Sequence, residues 1–159
     1  MKVKTHNAII RLSKNAEREQ RIPKAKENAY ERPMLAGAYY LNGETMICNG
    51  FYAIIFNDLI PDLQMVEAQG EYIDCHKFFE PDFPVASGTD ECEFTPTNEQ
   101  FTQLNNSKYQ TKYVKMLVDA LEDCKLYNKA DATTSALTLK GSNGIAILMP
   151  IRPDKKESK

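Results

Sequence analysis

The chain lacks most of the features that identify an enzyme from its sequence. Its 159 residues contain no tryptophan and two histidines, His6 and His76. Neither histidine stands in a recognisable nucleophile, metal or phosphate-binding motif. The seven glycines are expected at turns, and no glycine-rich phosphate loop is present. We therefore expect no catalytic residue, no cofactor and no enzymatic activity.

Metal binding and secretion also lack support in the sequence. The four cysteines, Cys48, Cys75, Cys92 and Cys124, include no C-x-x-C pair, so a zinc site is not expected. No run approaches the roughly 18–20 apolar residues of a membrane span. Residues 1–15 lack the apolar core of a signal peptide. These absences predict a cytoplasmic protein with reduced, structural cysteines and no membrane partner.

Composition is that of an ordinary globular chain. It is 42% hydrophobic and 26% charged, and its length suits one domain. A net charge of −2 argues against coating nucleic acid through bulk charge, although it leaves room for a local basic face.

The clearest structural signals are two runs of strands joined by turns. Residues 136–140 and 144–149 read as a hairpin that ends at Met149-Pro150-Ile151-Arg152. Residues 31–58 read as a meander with strands at 35–41, 44–48 and 51–56. Its turns are Asn42-Gly43 and Asn49-Gly50, which supply the positive φ values of tight hairpin turns.

The remaining segments complete an α+β order. Apolar periodicity predicts helices at 5–19 and 108–123, and a loose capping pattern predicts a short helix at 97–106. Strands are predicted at 71–79, 91–95 and 125–129. The order of elements is β-α-β-β-β, repeated twice. The two halves cover about 1–60 and 70–152 and form a single domain, 1–152. A charged tail, 153–159, follows.

Both strand-rich regions resemble the bacterial DNA polymerase sliding clamp (β clamp) family. Clamp domains carry an Arg-Pro pair before a strand, an Asp-Gly-Tyr-Arg-like corner and a Met-Pro-hydrophobic-Arg end. Here the similar segments are Arg32-Pro33, Asn49-Gly50-Phe51-Tyr52 and residues 149–152. Asn49 replaces the usual Asp, and Ala53 stands where a basic or long residue is common. The resemblance therefore bears on the fold more than on any role of the corner.

This resemblance implies a DNA-clamp-like fold. Two β-α-β-β-β halves would place both helices on one side of curved antiparallel sheets. A full ring of the family has six such domains, so a single-domain chain would either self-associate into a ring or have lost encirclement. The resemblance is also compatible with a chain encoded by a phage or a mobile element.

Two basic stripes fall on the predicted helices. Arg11, Lys14, Arg18 and Arg21 follow i, i+3, i+7 and i+10, and Lys108, Lys112 and Lys115 follow i, i+4 and i+7. Because clamp helices line the central channel, the resemblance implies that these seven residues face double-stranded DNA. A plain solvated helix face explains the same pattern, and both interpretations stay open.

The resemblance also implies a partner site at the end of the last strand. In clamps this end borders a hydrophobic pocket that receives short peptide motifs from polymerases and other partners. The matching residues are Met149, Pro150 and Ile151. Alternatively, Ile147, Met149 and Ile151 finish the core on one strand face, since they alternate with period two.

Three functions follow from these observations. The first is a non-enzymatic, clamp-like interaction protein that binds a protein partner of the replication machinery or regulates replication. The second is a DNA-encircling processivity factor formed by self-association. The third is a small hydrolase or nuclease without a recognisable motif.

Overall fold

The computed structural model describes residues 3–21, 38–60, 63, 66–67, 74–79 and 88–151. Arg32-Pro33, Arg152 and the tail 153–159 lie outside these residues. The described elements, in chain order, are α1 Val3–Arg21, β1 Ala38–Leu41, β2 Glu44–Cys48, β3 Tyr52–Phe56, β4 Val66–Glu67, a 3-10 helix Cys75–Phe79, β5 Asp90–Cys92, β6 Phe101–Leu104, β7 Ser107–Gln110, α2 Thr111–Ala120, β8 Lys125–Asn128, β9 Leu137–Gly141 and β10 Gly144–Leu148.

Eight of these strands form one sheet in the order β4-β1-β2-β3-β10-β9-β8-β5, while β6 and β7 form a separate hairpin. All neighbours in the large sheet are antiparallel except β1 and β4. At its centre β3 pairs with β10, from Tyr52–Leu148 to Phe56–Gly144. The segments α1-β1-β2-β3 and α2-β8-β9-β10 therefore occupy equivalent positions on either side of that central pair.

Both helices cover the same face of the sheet. Along β3, Tyr52, Ile54 and Phe56 belong to the core that also contains Leu12 of α1 and Leu117 of α2. The alternate residues of β3 belong to a second core on the opposite face. The helices also contact one another. The prediction of an α+β fold with antiparallel sheet is confirmed. Over the described residues the first half is α-β-β-β rather than the predicted β-α-β-β-β, because α1 already begins at Val3.

The 3-10 helix contributes to the second core. Cys75 is fully buried there beside Tyr39 and Met46, whereas His76 is exposed and bonds Glu44. The predicted strand at 71–79 is therefore wrong over the described residues 74–79. The thioether of Met46 accepts the Cys75 N–H at 3.3 Å, which holds these residues in a turn against β2 rather than in a strand pairing.

The meander follows the sequence prediction closely. Asn42 and Gly43 have φ values of 53° and 82°, as a two-residue hairpin turn of primed type requires. The predicted strand at 44–48 has these bounds, and the strands at 35–41 and 51–56 are observed as β1 and β3. Residues 35–37 lie outside the described part of the chain.

The predicted helix at 97–106 is wrong, because these residues enter the β6–β7 hairpin. Thr102 and Leu104 are buried while their neighbours are exposed, which is the two-residue period of a strand. The turn is Asn105-Asn106, with Asn105 at φ 52°. Asn tolerates this left-handed conformation, and that signal outweighs the loose capping pattern.

The second long helix is shorter than predicted at both ends. Residues 108–110 belong to β7, and α2 begins at Thr111. Tyr109 is turned into the core, where its hydroxyl donates to the Ser135 carbonyl at 2.6 Å. At the other end Leu121 already has an extended backbone, with φ −103° and ψ 133°. Asp123 follows at φ 53°, which ends the helical path.

Candidate functional site

The two ends of the central β3–β10 pair are built from the same backbone interaction. Beyond the end of β10, the Met149 N–H donates to the Phe51 carbonyl in the β2–β3 turn at 2.8 Å. Beyond the end of β3, the Asn57 N–H donates to the Asn143 carbonyl in the β9–β10 turn at 3.0 Å. Each strand thus ends against the turn of the other half.

One of these ends is polar. The Asn57 side-chain amide donates to the Ser142 carbonyl at 3.2 Å. Asn143 accepts the Glu122 N–H at 2.8 Å and donates to the Ala120 carbonyl at 3.0 Å. Its side chain therefore satisfies backbone groups that the end of α2 leaves open. We call Asn57, Ser142 and Asn143 the polar end.

The other end presents apolar side chains. The Asn49 side-chain oxygen accepts the Phe51 and Tyr52 N–H groups, each at 2.9 Å, and so fixes the corner before β3. Gly50, at φ 92°, turns the chain there. Phe51 is left 49% exposed, and its ring stacks on Tyr113 of α2 with centroids 5.7 Å apart. The fold thus holds this aromatic ring in place at the surface.

The segment after β10 completes this surface. Met149, Pro150 and Ile151 are all half-buried, whereas Ile147 within β10 is buried. The Ile151 N–H donates to the Lys108 carbonyl at 2.8 Å, which fastens the segment to β7. We define the apolar end as Phe51, Tyr113, Met149, Pro150 and Ile151.

Positive charge borders the apolar end. The Lys112 ammonium lies 4.9 Å from the centroid of the Tyr113 ring, a cation–π contact, and the Lys112 side chain is exposed. Lys108 is exposed as well. Lys108 lies on β7, so its assignment to a helical stripe is corrected. The structure therefore joins two residues predicted to face DNA with the segment predicted to bind a peptide.

The other basic residues lie on the two helices. Arg11 and Lys14 are exposed on α1, and Lys115 is half-buried on α2. Arg18 and Arg21 belong to the helical backbone of α1, but their side chains lie outside the described residues. Because α1 and α2 pack side by side on one face of the sheet, their outer surfaces point to the same side of the protein.

Sequence reasoning misses the aromatic part of the apolar end. Periodicity alone places Phe51 in a strand and Tyr113 in the apolar stripe of a helix. Tyr113 is buried, with its ring edge against Tyr52 at a centroid distance of 5.3 Å. The available signal is the Asn49-Gly50 turn, because connecting turns run over the protein surface and Phe51 directly follows this one.

Other types of site have little support in the described residues. They contain no group of three His, Cys, Asp or Glu side chains arranged to hold a metal ion. Among the described helices, none has the length and apolar character needed to cross a membrane. An open groove of about 360 Å³ lies beside β5, lined by acidic residues such as Glu91 and Glu93.

Comparisons with known proteins add no relative. No protein-family model matches the chain, and neither a curated protein nor a solved structure matches it significantly. Function is therefore inferred from the geometry of the apolar end.

Proposed function

We propose that this chain is a non-enzymatic, clamp-like interaction protein whose apolar end binds a short peptide segment of a protein partner. The supporting observation is the difference between the two ends of the β3–β10 pair. Both ends make the same backbone hydrogen bond, but only one places a half-exposed aromatic ring beside it. The fold can therefore close a strand end without such a ring, and binding gives the ring a role.

The chemistry of the apolar end suggests the character of the peptide. The Phe51 ring and the half-buried Ile151 offer anchors for one or two apolar side chains, since aromatic residues dominate binding energy at interfaces. Met149 adapts to different shapes because its thioether chain is unbranched. Lys108 and Lys112 favour an acidic residue next to the apolar ones. A partner in the replication machinery is what the clamp resemblance suggests.

Selection from a random peptide library tests this proposal. Peptides displayed on phage are selected against the immobilised chain, and the enriched ones are resynthesised for calorimetric titration. We expect apolar residues near an acidic one, and affinities reduced roughly tenfold or more by Phe51→Ala. Leu59→Ala is the matched control, because Leu59 is 50% exposed and follows the opposite end of β3.

The outcomes distinguish specific binding at the apolar end from non-specific binding to exposed apolar side chains. Equal losses for Phe51→Ala and Leu59→Ala would mean that the peptides bind exposed apolar residues without preference. Peptides that bind Phe51→Ala as tightly as the parent chain would reject the apolar end as the site.

A DNA-encircling ring is the second candidate function. Its support is that α1 and α2 lie side by side on one sheet face, with Arg11, Lys14 and Lys112 exposed. Light scattering after gel filtration is the first test, because six domains are expected in a ring. Binding to a DNA duplex should also weaken steeply with salt, as phosphate contacts release counterions. A monomer without duplex affinity at low salt would remove this candidate.

A further inference from the structure

Two strands of the described fold each have one edge without a neighbouring strand, and these two edges border the same groove. β5 ends the large sheet and pairs only with β8, while β6 pairs only with β7. The groove between them has a volume of about 440 Å³. Its lining residues are Glu91, Cys92 and Glu93 on the β5 side and Gln103, Leu104 and Asn105 on the β6 side. We call it the edge groove.

Asn128 of β8 holds the two sides of the edge groove together at one point. It lies opposite Asp90 of β5. Its side-chain amide donates to the Leu104 carbonyl at 3.0 Å, and its side-chain oxygen accepts from the Asn105 amide at 2.6 Å. Among the described residues, no backbone hydrogen bond joins β5 to β6. The two edges are therefore fixed relative to each other but do not pair.

The register of the β6–β7 hairpin directs backbone groups into the edge groove. The Lys108 carbonyl accepts the Ile151 N–H, so it points away from β6. Gln103 lies directly opposite Lys108. In an antiparallel pair, the two residues of a non-hydrogen-bonded pair both direct their N–H and C=O outward. The Gln103 N–H and C=O therefore point away from β7, and no described backbone group pairs with them.

The side chains of the edge groove favour one kind of occupant. Glu91 and Glu93 are both exposed and, being two residues apart, lie on the same face of β5. The described lining contains no Lys, Arg or His. Cys92 and Leu104 instead belong to the core beneath the helices. A strand entering the groove would thus meet carboxylates on one face and apolar side chains on the other.

We propose that the edge groove binds an extended segment of a partner protein, in which Lys or Arg alternates with apolar residues, as an added strand between β5 and β6. Backbone pairing with an open strand edge supplies affinity, and alternate side chains supply specificity. The basic residues face Glu91 and Glu93. A second copy of this chain fits less well, because pairing two β5 edges would bring like charges together. The apolar end favours an acidic peptide, so the two sites select different segments.

Calorimetric titration at low salt with a synthetic peptide tests the proposal. The probe is a short peptide, capped at both ends, that alternates lysine and valine. Two control peptides have the same length. In one, glutamate replaces lysine, and in the other the amide nitrogens of one edge are methylated, which removes strand pairing and keeps every charge. We expect binding of the first peptide only, and affinity that falls as salt rises.

Variants of the chain separate backbone pairing from charge. Gln103→Pro removes the outward N–H, which an edge position tolerates because no β6–β7 hydrogen bond is lost. It should weaken binding roughly fivefold to tenfold relative to Gln103→Ala, which keeps that N–H. The double variant Glu91→Gln, Glu93→Gln should weaken binding roughly fivefold. Its matched control is Asp58→Asn with Asp131→Asn, since both residues are exposed and lie outside the groove lining.

Amide hydrogen exchange on the unmodified chain keeps the test decisive if Gln103→Pro fails to fold. Saturating peptide should slow exchange of the Gln103 amide roughly tenfold and leave the Asn57 amide, at the polar end, unchanged. Three results would overturn the proposal. One is equal affinity for the methylated peptide, which would mean attraction by charge alone. Another is no change in Gln103 exchange. The third is a dimer that Gln103→Pro converts to a monomer, which would assign the groove to a second copy.

Discussion

The polar end and the apolar end of the β3–β10 pair close the central strands with the same backbone hydrogen bond but with different side chains. In each, the residue after the strand donates its N–H to a carbonyl in the turn of the other half. At the polar end an asparagine then satisfies the end of α2. At the apolar end an asparagine fixes the corner, but the neighbouring side chain is Phe51, half-exposed on Tyr113.

This difference separates what the fold requires from what it does not. Both turns need an asparagine whose side chain binds backbone N–H groups, because those groups would otherwise lack partners near the helix end or the corner. Neither turn needs an exposed aromatic ring, since Ser142 and Asn143 close the polar end without one. Side chains at the polar end should therefore control stability, and those at the apolar end should control binding.

The largest expected effect comes from Gly144, which begins β10 at the polar end. A Cβ added there would lie 2.3 Å from the backbone oxygen of Ile55, so Gly144→Ala must displace one central strand. We expect a loss of about 3 kcal/mol in the free energy of unfolding, measured with urea. Gly50→Ala at the apolar end is the control. Nothing lies within 4 Å of its added Cβ, and only its φ of 92° opposes alanine, at a cost of about 1 kcal/mol. Equal losses of unfolding free energy in the two variants would contradict the expected difference between the two ends.

Asn143→Ala should have the next largest effect. It removes two hydrogen bonds to the backbone around the end of α2, to Ala120 and Glu122. We expect a loss of about 2 kcal/mol in unfolding free energy, because partly buried backbone groups lose their partners. Ser142→Ala should change stability by less than about 0.5 kcal/mol, since Ser142 engages Asn57 through its backbone carbonyl. If the Asn143→Ala protein is as stable as the parent chain, water replaces the two hydrogen bonds of the Asn143 side chain.

Ile151→Asp examines the apolar end directly. If Ile151 finished the core, a buried unpaired charge would cost roughly 2–4 kcal/mol. It is instead half-buried and lies beyond the end of β10, so we expect a loss below about 1 kcal/mol together with loss of peptide binding. Urea unfolding and calorimetric titration of the same sample separate the two effects. If the variant is already unfolded in the absence of urea, Ile151 belongs to the core.

Local turn chemistry explains which parts of the fold can be predicted. The Asn42-Gly43 turn and the flanking alternation indicate β1 and β2 because both signals are local. The β6–β7 hairpin escapes prediction, since Asn105-Asn106 is a weaker turn signal than Asn-Gly. Its buried face also depends on contacts such as that of Tyr109 with Ser135, which are distant in sequence.

The candidate site is predictable only in part for the same reason. Met149 to Ile151 are identified from their position after the last strand. Phe51 joins them through a backbone bond between residues far apart in the sequence, from Met149 N–H to the Phe51 carbonyl, and no periodic pattern reports such a contact. Likewise, the spacing of Lys108 and Lys112 suggests one helical stripe. The structure places them on β7 and α2 on either side of a strand–helix junction.

The smallest expected effect is a pH dependence at the polar end. Glu44 begins β2 there, and its carboxylate lies 2.6 Å from His76 Nε2. This hydrogen bond raises the pKa of His76 above 6.5, with smaller contributions from the Glu44 and Asp74 charges. Because the folded pKa is raised, the stabilisation is fully present below about pH 6.5 and is lost as pH rises through the folded pKa.

Since His76 is largely exposed, solvent screens this pair and the change should be about a few tenths of a kcal/mol. Urea unfolding at a series of pH values, with Glu44→Gln as control, measures it. The variant should lose most of the pH dependence seen as pH rises above about 6.5. Peptide affinity at the apolar end should stay constant over that range, because the pair lies at the other end of the central strands. If affinity instead follows the titration of His76, the two ends are coupled through β3. Residues that control stability at the polar end would then also affect peptide binding at the apolar end.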